Sequence, residues 1–252
     1  MNSELFSLEG EVAIVTGGSL GLGKEMAVAL AEAGASVAVA DIQDTSDTED
    51  LITKAGQKAI GLQVDVSKAS DVEAMVRKVM DEFGHIDILI NNAGIFRPSP
   101  AEEITRDDWY KVIDVNINGQ FLCAQTVGRQ MLKQGSGNII NISSIAGLMA
   151  FRGALSYNTT KAGLIMMTKS LADEWGPSIR VNAICPGVFA TDMTDDMLHD
   201  EEFIKNLKEK VPLKRHATAD EIAGTVVYLA SKASSYMTGH ALVIDGGWTA
   251  AL

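Results

Sequence analysis

The sequence is poor in basic residues, cysteine and histidine, and each shortage excludes something. Its 21 lysines and arginines face 33 aspartates and glutamates, for a net charge of −12. Such a balance disfavours partners gripped through phosphate charge, so neither nucleic acid nor an anionic membrane is an expected partner. The two cysteines, Cys123 and Cys185, stand far apart and form no Cys-x-x-Cys pattern. Neither a disulfide framework nor a zinc site follows, and both thiols are expected to be reduced and structural. His85, His199, His216 and His240 are scattered without ligand spacing, so no metal is expected. The opening Met1-Asn2-Ser3-Glu4-Leu5-Phe6 lacks the basic and apolar regions of a signal peptide. No apolar run approaches the ~20 residues of a membrane helix, and a soluble, cytoplasmic protein is expected.

What is present is a 252-residue chain with 46% hydrophobic residues, enough for one large α/β domain spanning residues 1–252. Short β-branched runs alternate with helical patterns, and no linker or low-complexity stretch divides them. The first run, Val12-Ala13-Ile14-Val15-Thr16, leads into Gly17-Gly18-Ser19-Leu20-Gly21-Leu22-Gly23 and then a helical pattern over 24–33. In a strand–glycine loop–helix unit the backbone turns tightly and its free N–H groups meet the positive end of the helix dipole. That arrangement takes a pyrophosphate without any basic side chain. The next strand ends at Asp41, where a carboxylate can accept from both adenosine ribose hydroxyls and would repel a 2′-phosphate. No cation among Gly18, Ser19, Ile42 and Gln43 offers to bind such a phosphate, so NAD is preferred over NADP; a turn-capping role for Asp41 is the alternative.

Further along, a polar helix is expected over 44–55, a strand over 59–64 and a helix over 68–83. Asp65 and Val66 end the third strand within reach of an adenine, although Asp65 could equally cap the helix that follows. Strand 86–90 runs into Asn91-Asn92-Ala93-Gly94, where small residues let the backbone lie against a cofactor and the asparagines could tie neighbouring strands. One long helix is expected over 106–133, with Asn116 a polar oddity inside it. Asn116 could hold a water between Lys161 and solvent. Strands over 138–142 and 180–184 frame a helix over 157–174; after Pro186-Gly187-Val188 come an acidic segment, a helix over 219–231 and a last strand over 241–244. Alternation with long crossovers implies a doubly wound parallel sheet with helices on both faces. Residues 189–211 suit either a mobile substrate lid or a solvated surface helix.

The chemistry is concentrated at Ser144 and the stretch Ser156-Tyr157-Asn158-Thr159-Thr160-Lys161. Residues four apart share a helix face, so the Lys161 ammonium can approach the Tyr157 phenol. A fixed positive charge there would favour the phenolate and bring a group that titrates near pH ~10 towards neutrality, fit for general acid–base work. An ordinary surface pair would show the same spacing.

Taken together, Thr16-Gly17-x-x-x-Gly21-x-Gly23, Asn91-Asn92-Ala93-Gly94, Asn116, Ser144 with Tyr157-x-x-x-Lys161, and Pro186-Gly187 followed by Thr191 resemble the short-chain dehydrogenase/reductase family from Leu8 to Trp248. The resemblance implies a tetrad: Ser144 positions the carbonyl or alcohol oxygen, Tyr157 exchanges its proton, Lys161 lowers the tyrosine pKa and holds the ribose, and Asn116 supports the relay. Hydride then passes directly to or from a nicotinamide. Val188 and Thr191 would hold the carboxamide, and Asp65 and Val66 the adenine. Leu5-Phe6-Ser7-Leu8-Glu9-Gly10, the run from Glu82 to Leu89 and the ending Asp245-Gly246-Gly247-Trp248 look most like bacterial 2-dehydro-3-deoxy-gluconate dehydrogenases, which implies a sugar acid or similar small polar substrate. Arg97 and Arg152 are then the candidates for a substrate carboxylate. A homotetramer is implied as well, with Phe121, Leu122, Leu164, Met166 and Met167 available for a subunit face or, equally, for the core. Two other functions share these motifs: a 3-oxoacyl-carrier-protein reductase using NADPH, against which Asp41 argues, and a dinucleotide-binding regulator without catalysis, against which the intact tetrad argues.

Overall fold

Seven runs rich in small and β-branched residues form the strands of one sheet in the structure, a computed structural model that describes residues 3–251. Met1 and Asn2 of the opening segment, and Leu252, lie outside the described residues. The strands are β1 (Val12–Thr16), β2 (Ser36–Asp41), β3 (Ala59–Gln63), β4 (Ile88–Asn91), β5 (Gly137–Ile142), β6 (Ile179–Pro186) and β7 (Ala241–Ile244). They lie in the order β3-β2-β1-β4-β5-β6-β7, and every neighbouring pair is parallel. Parallel neighbours need long crossovers, and helices supply them: α1 (Gly21–Glu32), α2 (Ser46–Lys54), α3 (Ala69–Phe83), α4 (Arg106–Ile113), α5 (Gln120–Gln134) and α6 (Leu155–Trp175). After β6 come α7 (Asp195–Leu198), α8 (Glu201–Lys210) and α9 (Ala223–Ala230).

Because side chains alternate along a strand, one sheet makes two cores. Ala13, Val15, Val37 and Val39 meet Met26 and Leu30 of α1 and Val226 and Leu229 of α9 on one face. On the other, Val12, Ile14, Ala38 and Ala40 meet Met75 of α3, Val127 of α5 and Leu171 of α6. The doubly wound sheet expected from the alternation is therefore the observed architecture. Strand order reverses between β1 and β4, which opens a crevice at the carboxyl ends of the strands.

Two differences from the sequence reading have local causes. The single helix expected over 106–133 is broken by a π-helical turn, Asp114–Gly119. Gly119 presses on Val66, where an added Cβ would meet Val66 Cγ2 at 2.8 Å, and Asn116 is drawn to the backbone of Ile95; the wider turn accommodates both. The helix expected over 219–231 begins as a 3₁₀ turn, Ala219–Ile222, closed by a reciprocal Thr218–Glu221 capping box. Leu164 is fully buried, while Leu122 and Met167 pack on the second core; of the five candidate subunit-face residues only Phe121 and Met166 stay exposed.

A half-buried cation ties the far side of the sheet together. Arg180 on β6 donates to the carbonyls of Leu229, Ser231, Ser234 and Met237 and to Ser234 Oγ, gathering the C-terminal end of α9.

Candidate active site

The glycine loop is shaped by contacts that leave no room for side chains. A Cβ on Gly23 would stand 1.9 Å from the Gly17 carbonyl oxygen, and one on Gly18 would meet Val39 Cγ1 at 2.8 Å. Gly17 and Gly21 adopt φ of 64° and 51°, conformations that favour glycine. Leu20, exposed, stands at the N-cap of α1 and makes no side-chain capping bond, so the first amides of that helix keep their donors for an anion. Leu22 packs onto the first core and holds the helix down. Thr48 of α2 donates to the Gly18 carbonyl at 3.0 Å and braces the loop from outside, a contribution the sequence did not announce.

Asp41, at the end of β2, faces this loop. Its Oδ2 accepts from Ser19 N at 3.1 Å and Ser19 Oγ at 2.6 Å, and its Oδ1 from Gln43 N at 3.1 Å. The carboxylate is thus held in place beside the glycine loop, and the capping role is present. Asp65 accepts from Ser67 N and Ser67 Oγ and pairs with Lys68 at 3.4 Å; the Ser67 hydroxyl bond comes first among the causes that hold its carboxyl below the usual range. Val66 is buried under the π-helical turn. A cavity of about 470 Å³ opens beside Ile42, Val64 and Asp65.

Asn91 and Asn92 tie strands together as their place in the sequence suggested. Asn91 Nδ2 donates to Asn141 Oδ1 and the Gln120 carbonyl, while Asn92 Nδ2 donates to the carbonyls of Thr16 and Gly17. Thr16 Oγ1 accepts from the amides of Asn92 and Ala93, so β1 and the segment after β4 move as one. Gly94 lies between Asn116 Oδ1 and Lys161 Nζ, which an added Cβ would meet at 3.4 and 3.6 Å.

At the end of β5, Ser144 starts a short 3₁₀ turn and α6 carries Tyr157 and Lys161 past it. Lys161 is buried, its Nζ donating to the Ile142 carbonyl at 2.7 Å and lying 5.3 Å from the centroid of the Tyr157 ring. Ser143 Oγ donates to the Lys161 carbonyl and fixes that turn of α6. Burial pulls the Lys161 ammonium down to about 8, opposed by the Cys185 thiol nearby. Burial likewise pushes the Tyr157 phenol up to about 12, with a Ser144 hydrogen bond acting against it, although by surface area the residue is only half-buried. The four-residue spacing does bring the Lys161 ammonium beneath the Tyr157 ring, while burial works against the acidification expected of that pair. Helical spacing brings lysine and tyrosine together, but the ammonium is directed to a backbone carbonyl and both groups lose solvation in the same place. The Asn116 side-chain amide pairs with the backbone of Ile95, Oδ1 accepting from the amide and Nδ2 donating to the carbonyl, each at 2.8 Å.

Phe96 stands edge-on to Tyr157 with ring centroids 5.2 Å apart, an apolar wall the sequence reading missed. The loops carrying the two candidate arginines meet: Ser99 bridges to Ala154 and its amide donates to the Gly153 carbonyl. Arg97 is ion-paired with Asp108, whereas exposed Arg152 has no such partner among the described residues. Beyond Pro186, the backbone of Gly187 runs against Asp245, and the Val188 carbonyl accepts from Ala217 N. Thr191 sits over the glycine loop, 3.3 Å from where a Cβ on Gly21 would be. Residues 192–210 form a 3₁₀ turn, Asp192–Thr194, then α7 and α8. Among the described residues no cluster of metal-binding side chains occurs, and no helix is long and apolar enough to cross a membrane.

With this geometry in hand, similarity to known proteins identifies the scaffold. A family profile described as Enoyl-(Acyl carrier protein) reductase matches residues 17–249. The chain is 40% identical over 250 residues to 2-dehydro-3-deoxy-D-gluconate 5-dehydrogenase of Dickeya dadantii, covering 97% of this chain and 98% of that one. It is also 40% identical over 246 residues to a 3-oxoacyl-[acyl-carrier-protein] reductase of Synechocystis, covering 96% and 98%. A gluconate 5-dehydrogenase from Burkholderia cenocepacia, solved in complex with NADP and tartrate, superposes with a TM-score of 0.96 at 34% identity over 100% of both chains. A glycine-loop crevice, a buried lysine beneath a tyrosine, and likeness over almost the whole length agree: the chain belongs to the short-chain dehydrogenase/reductase family.

Proposed function

We propose that the chain is an NAD-dependent dehydrogenase that interconverts a secondary alcohol and a ketone on a sugar acid. The observation that carries the reading is the convergence of Ser144, Tyr157 and Lys161 beside Gly94, at the mouth of a crevice whose other end is the glycine loop and Asp41. The residues present fit a dinucleotide. Uncapped amides at Gly21 to Gly23 suit the pyrophosphate, Asp41 the adenosine ribose, Asp65 and Val66 the adenine, and Asn92, Ala93 and Gly94 the nicotinamide side. Pro186, Gly187, Val188 and Thr191 complete the carboxamide end.

A nicotinamide cofactor held by these residues would supply the hydride chemistry between alcohol carbon and carbonyl carbon. Tyr157 Oη takes or returns the accompanying proton at the substrate oxygen. Ser144 Oγ holds that oxygen, a task for which its hydroxyl is already beside the phenol. The phenol is neutral in this structure, which suits donation to a ketone. Lys161 places a titratable ammonium beneath the ring, and Asn116 locks the Ile95 loop that walls the same space. Arg152 is the better placed of the two arginines to receive a substrate carboxylate, because Arg97 is already engaged by Asp108.

Residues 189–211 act as the lid of this site, and exposed Phe121 and Met166 contribute to a homotetramer. Two free, buried cysteines suit a cytoplasmic location. The likeness to the 2-dehydro-3-deoxy-D-gluconate and gluconate dehydrogenases supports the sugar acid, and Asp41 supports NAD. The test is initial rates with NAD and NADP in both directions over sugar acids, polyols, simple secondary alcohols and a 3-oxoacyl thioester. Sugar-acid turnover with NAD is expected. Turnover of the thioester with NADPH and of no sugar acid would instead place the chain with the acyl reductases, the reading favoured by the Synechocystis relative.

A further inference from the structure

Apart from the two cores, a third apolar cluster consists of Ile145, Leu207, Val211 and Trp248, none more than 5% exposed, with Phe151, Phe203 and Val188 packed against them. These residues come from four separate places: the turn after Ser144, the loop after Pro186, α8, and the C-terminal turn. The Trp248 ring stands edge-on to Phe151, centroids 5.4 Å apart and planes at 89°. The turn that presents Trp248 is fixed from within, since the Asp245 carboxylate accepts from Gly247 N at 2.8 Å and Thr249 N at 2.7 Å. It is also fixed from both sides. An added Cβ would put Gly187 2.7 Å from Asp245 Cα, Gly246 2.8 Å from Val211 Cγ1, and Gly247 2.9 Å from Pro212 Cγ. Gly246 and Gly247 have φ of 67° and 91°, and Leu213 N donates to the Gly246 carbonyl at 3.2 Å. The chain leaving α8 then turns sharply through Lys214, the one non-glycine residue with positive φ among those described.

We propose that Trp248 is a positioning residue: the turn 245–248 is the seat on which α8 closes, so the C-terminal end of the chain sets how firmly the substrate is covered. This rests on the reading that residues 189–211 form the lid. The same turn backs Gly187, so lid and cofactor loop share one support. The contacts that place Trp248 here are made by its ring, against Phe151 and the apolar cluster.

The test compares Trp248→Ala, Trp248→Phe and, from the lid side, Leu207→Ala, alone and with Trp248→Ala. Hydrogen exchange of residues 201–213 in the purified chain without substrate is one readout, and KM against kcat is the other. Trp248→Ala and Leu207→Ala are each expected to speed exchange in 201–213 and to raise substrate KM about tenfold, with kcat within about threefold. Trp248→Phe should recover most of both, and the double variant should be little worse than either single one, as for partners in one contact. Unchanged exchange in both alanine variants overturns the proposal, as does additivity of the two. Equal loss in Trp248→Phe and Trp248→Ala would also overturn it by moving the role to the indole N–H. Should Trp248→Ala not fold, Leu207→Ala and Trp248→Phe decide on the same readouts. If no sugar acid is turned over the substrate reading fails, yet the exchange measurement still decides this one.

Discussion

On the proposed preference for NAD, replacing Asp41 by serine should open the site to NADP. The side chain is anchored by Ser19 N, Ser19 Oγ and Gln43 N, so it cannot swing away when a phosphate arrives without giving up those three bonds. For charges about 5 Å apart in a dielectric of roughly 80, Coulomb's law gives ~0.8 kcal/mol per unit pair, hence ~1.7 kcal/mol against a phosphate carrying about −2. That is a factor of about twenty in relative affinity, and a lower local dielectric enlarges it. Removing the carboxylate also removes an acceptor for the ribose hydroxyls, worth about 1.5–3 kcal/mol as a charged hydrogen bond. The Asp41→Ser chain should therefore gain about tenfold or more in kcat/KM for NADP and lose about tenfold for NAD. The ratio is read from initial rates with each cofactor at several ionic strengths, and the repulsive part should shrink with salt. A wild-type chain that already prefers NADP, or a ratio unmoved by Asp41→Ser, would refute the reasoning. The NADP held by the related Burkholderia enzyme makes this a live outcome.

Four further results are expected. Tyr157→Phe should reduce turnover by about a hundredfold to ten-thousandfold while NADH binding, followed by fluorescence, stays close to wild type. Because Lys161 is pulled down to about 8 and the phenol is neutral, reduction should hold at neutral pH and decline as pH rises through about 8, where the ammonium is lost; Lys161→Arg, charged throughout, should move that limb to higher pH in the pH–rate profile. Asn116→Ala leaves the amide and carbonyl of Ile95 without their partners, and denaturant unfolding should show a loss of about 1–3 kcal/mol. Arg180→Ala removes a cation that joins β6 to the end of α9, and the same measurement should show a loss of about 2–4 kcal/mol with KM unchanged.

Much of the architecture could be read from residue order because it depends on local rules. Alternating β-branched runs and helical patterns require parallel strands with crossovers, and the glycine loop marks the first turn of a doubly wound sheet. Element ends shifted by a few residues where caps and 3₁₀ turns intervened, as at Thr218. The π-helical turn was not legible, because its cause is contact between Gly119 and Val66, remote in sequence. The same holds for Thr48 bracing Gly18 across 30 positions, for Phe96 against Tyr157, and for Trp248 against Phe151.

Residue order alone sets which side chains share a helix face or follow a strand end: Tyr157 with Lys161, Asp41 in β2, Ser144 after β5. Those relations need only the helical and strand periods. Only the tertiary structure decided their electrostatic state and their supports. Burial raises the Tyr157 phenol and lowers the Lys161 ammonium, the Ile142 carbonyl accepts from that ammonium beneath the tyrosine ring, and Asp108 occupies Arg97. Solvation and the direction of a hydrogen bond depend on everything packed around a group, and that surrounding is assembled from parts of the chain far apart in sequence.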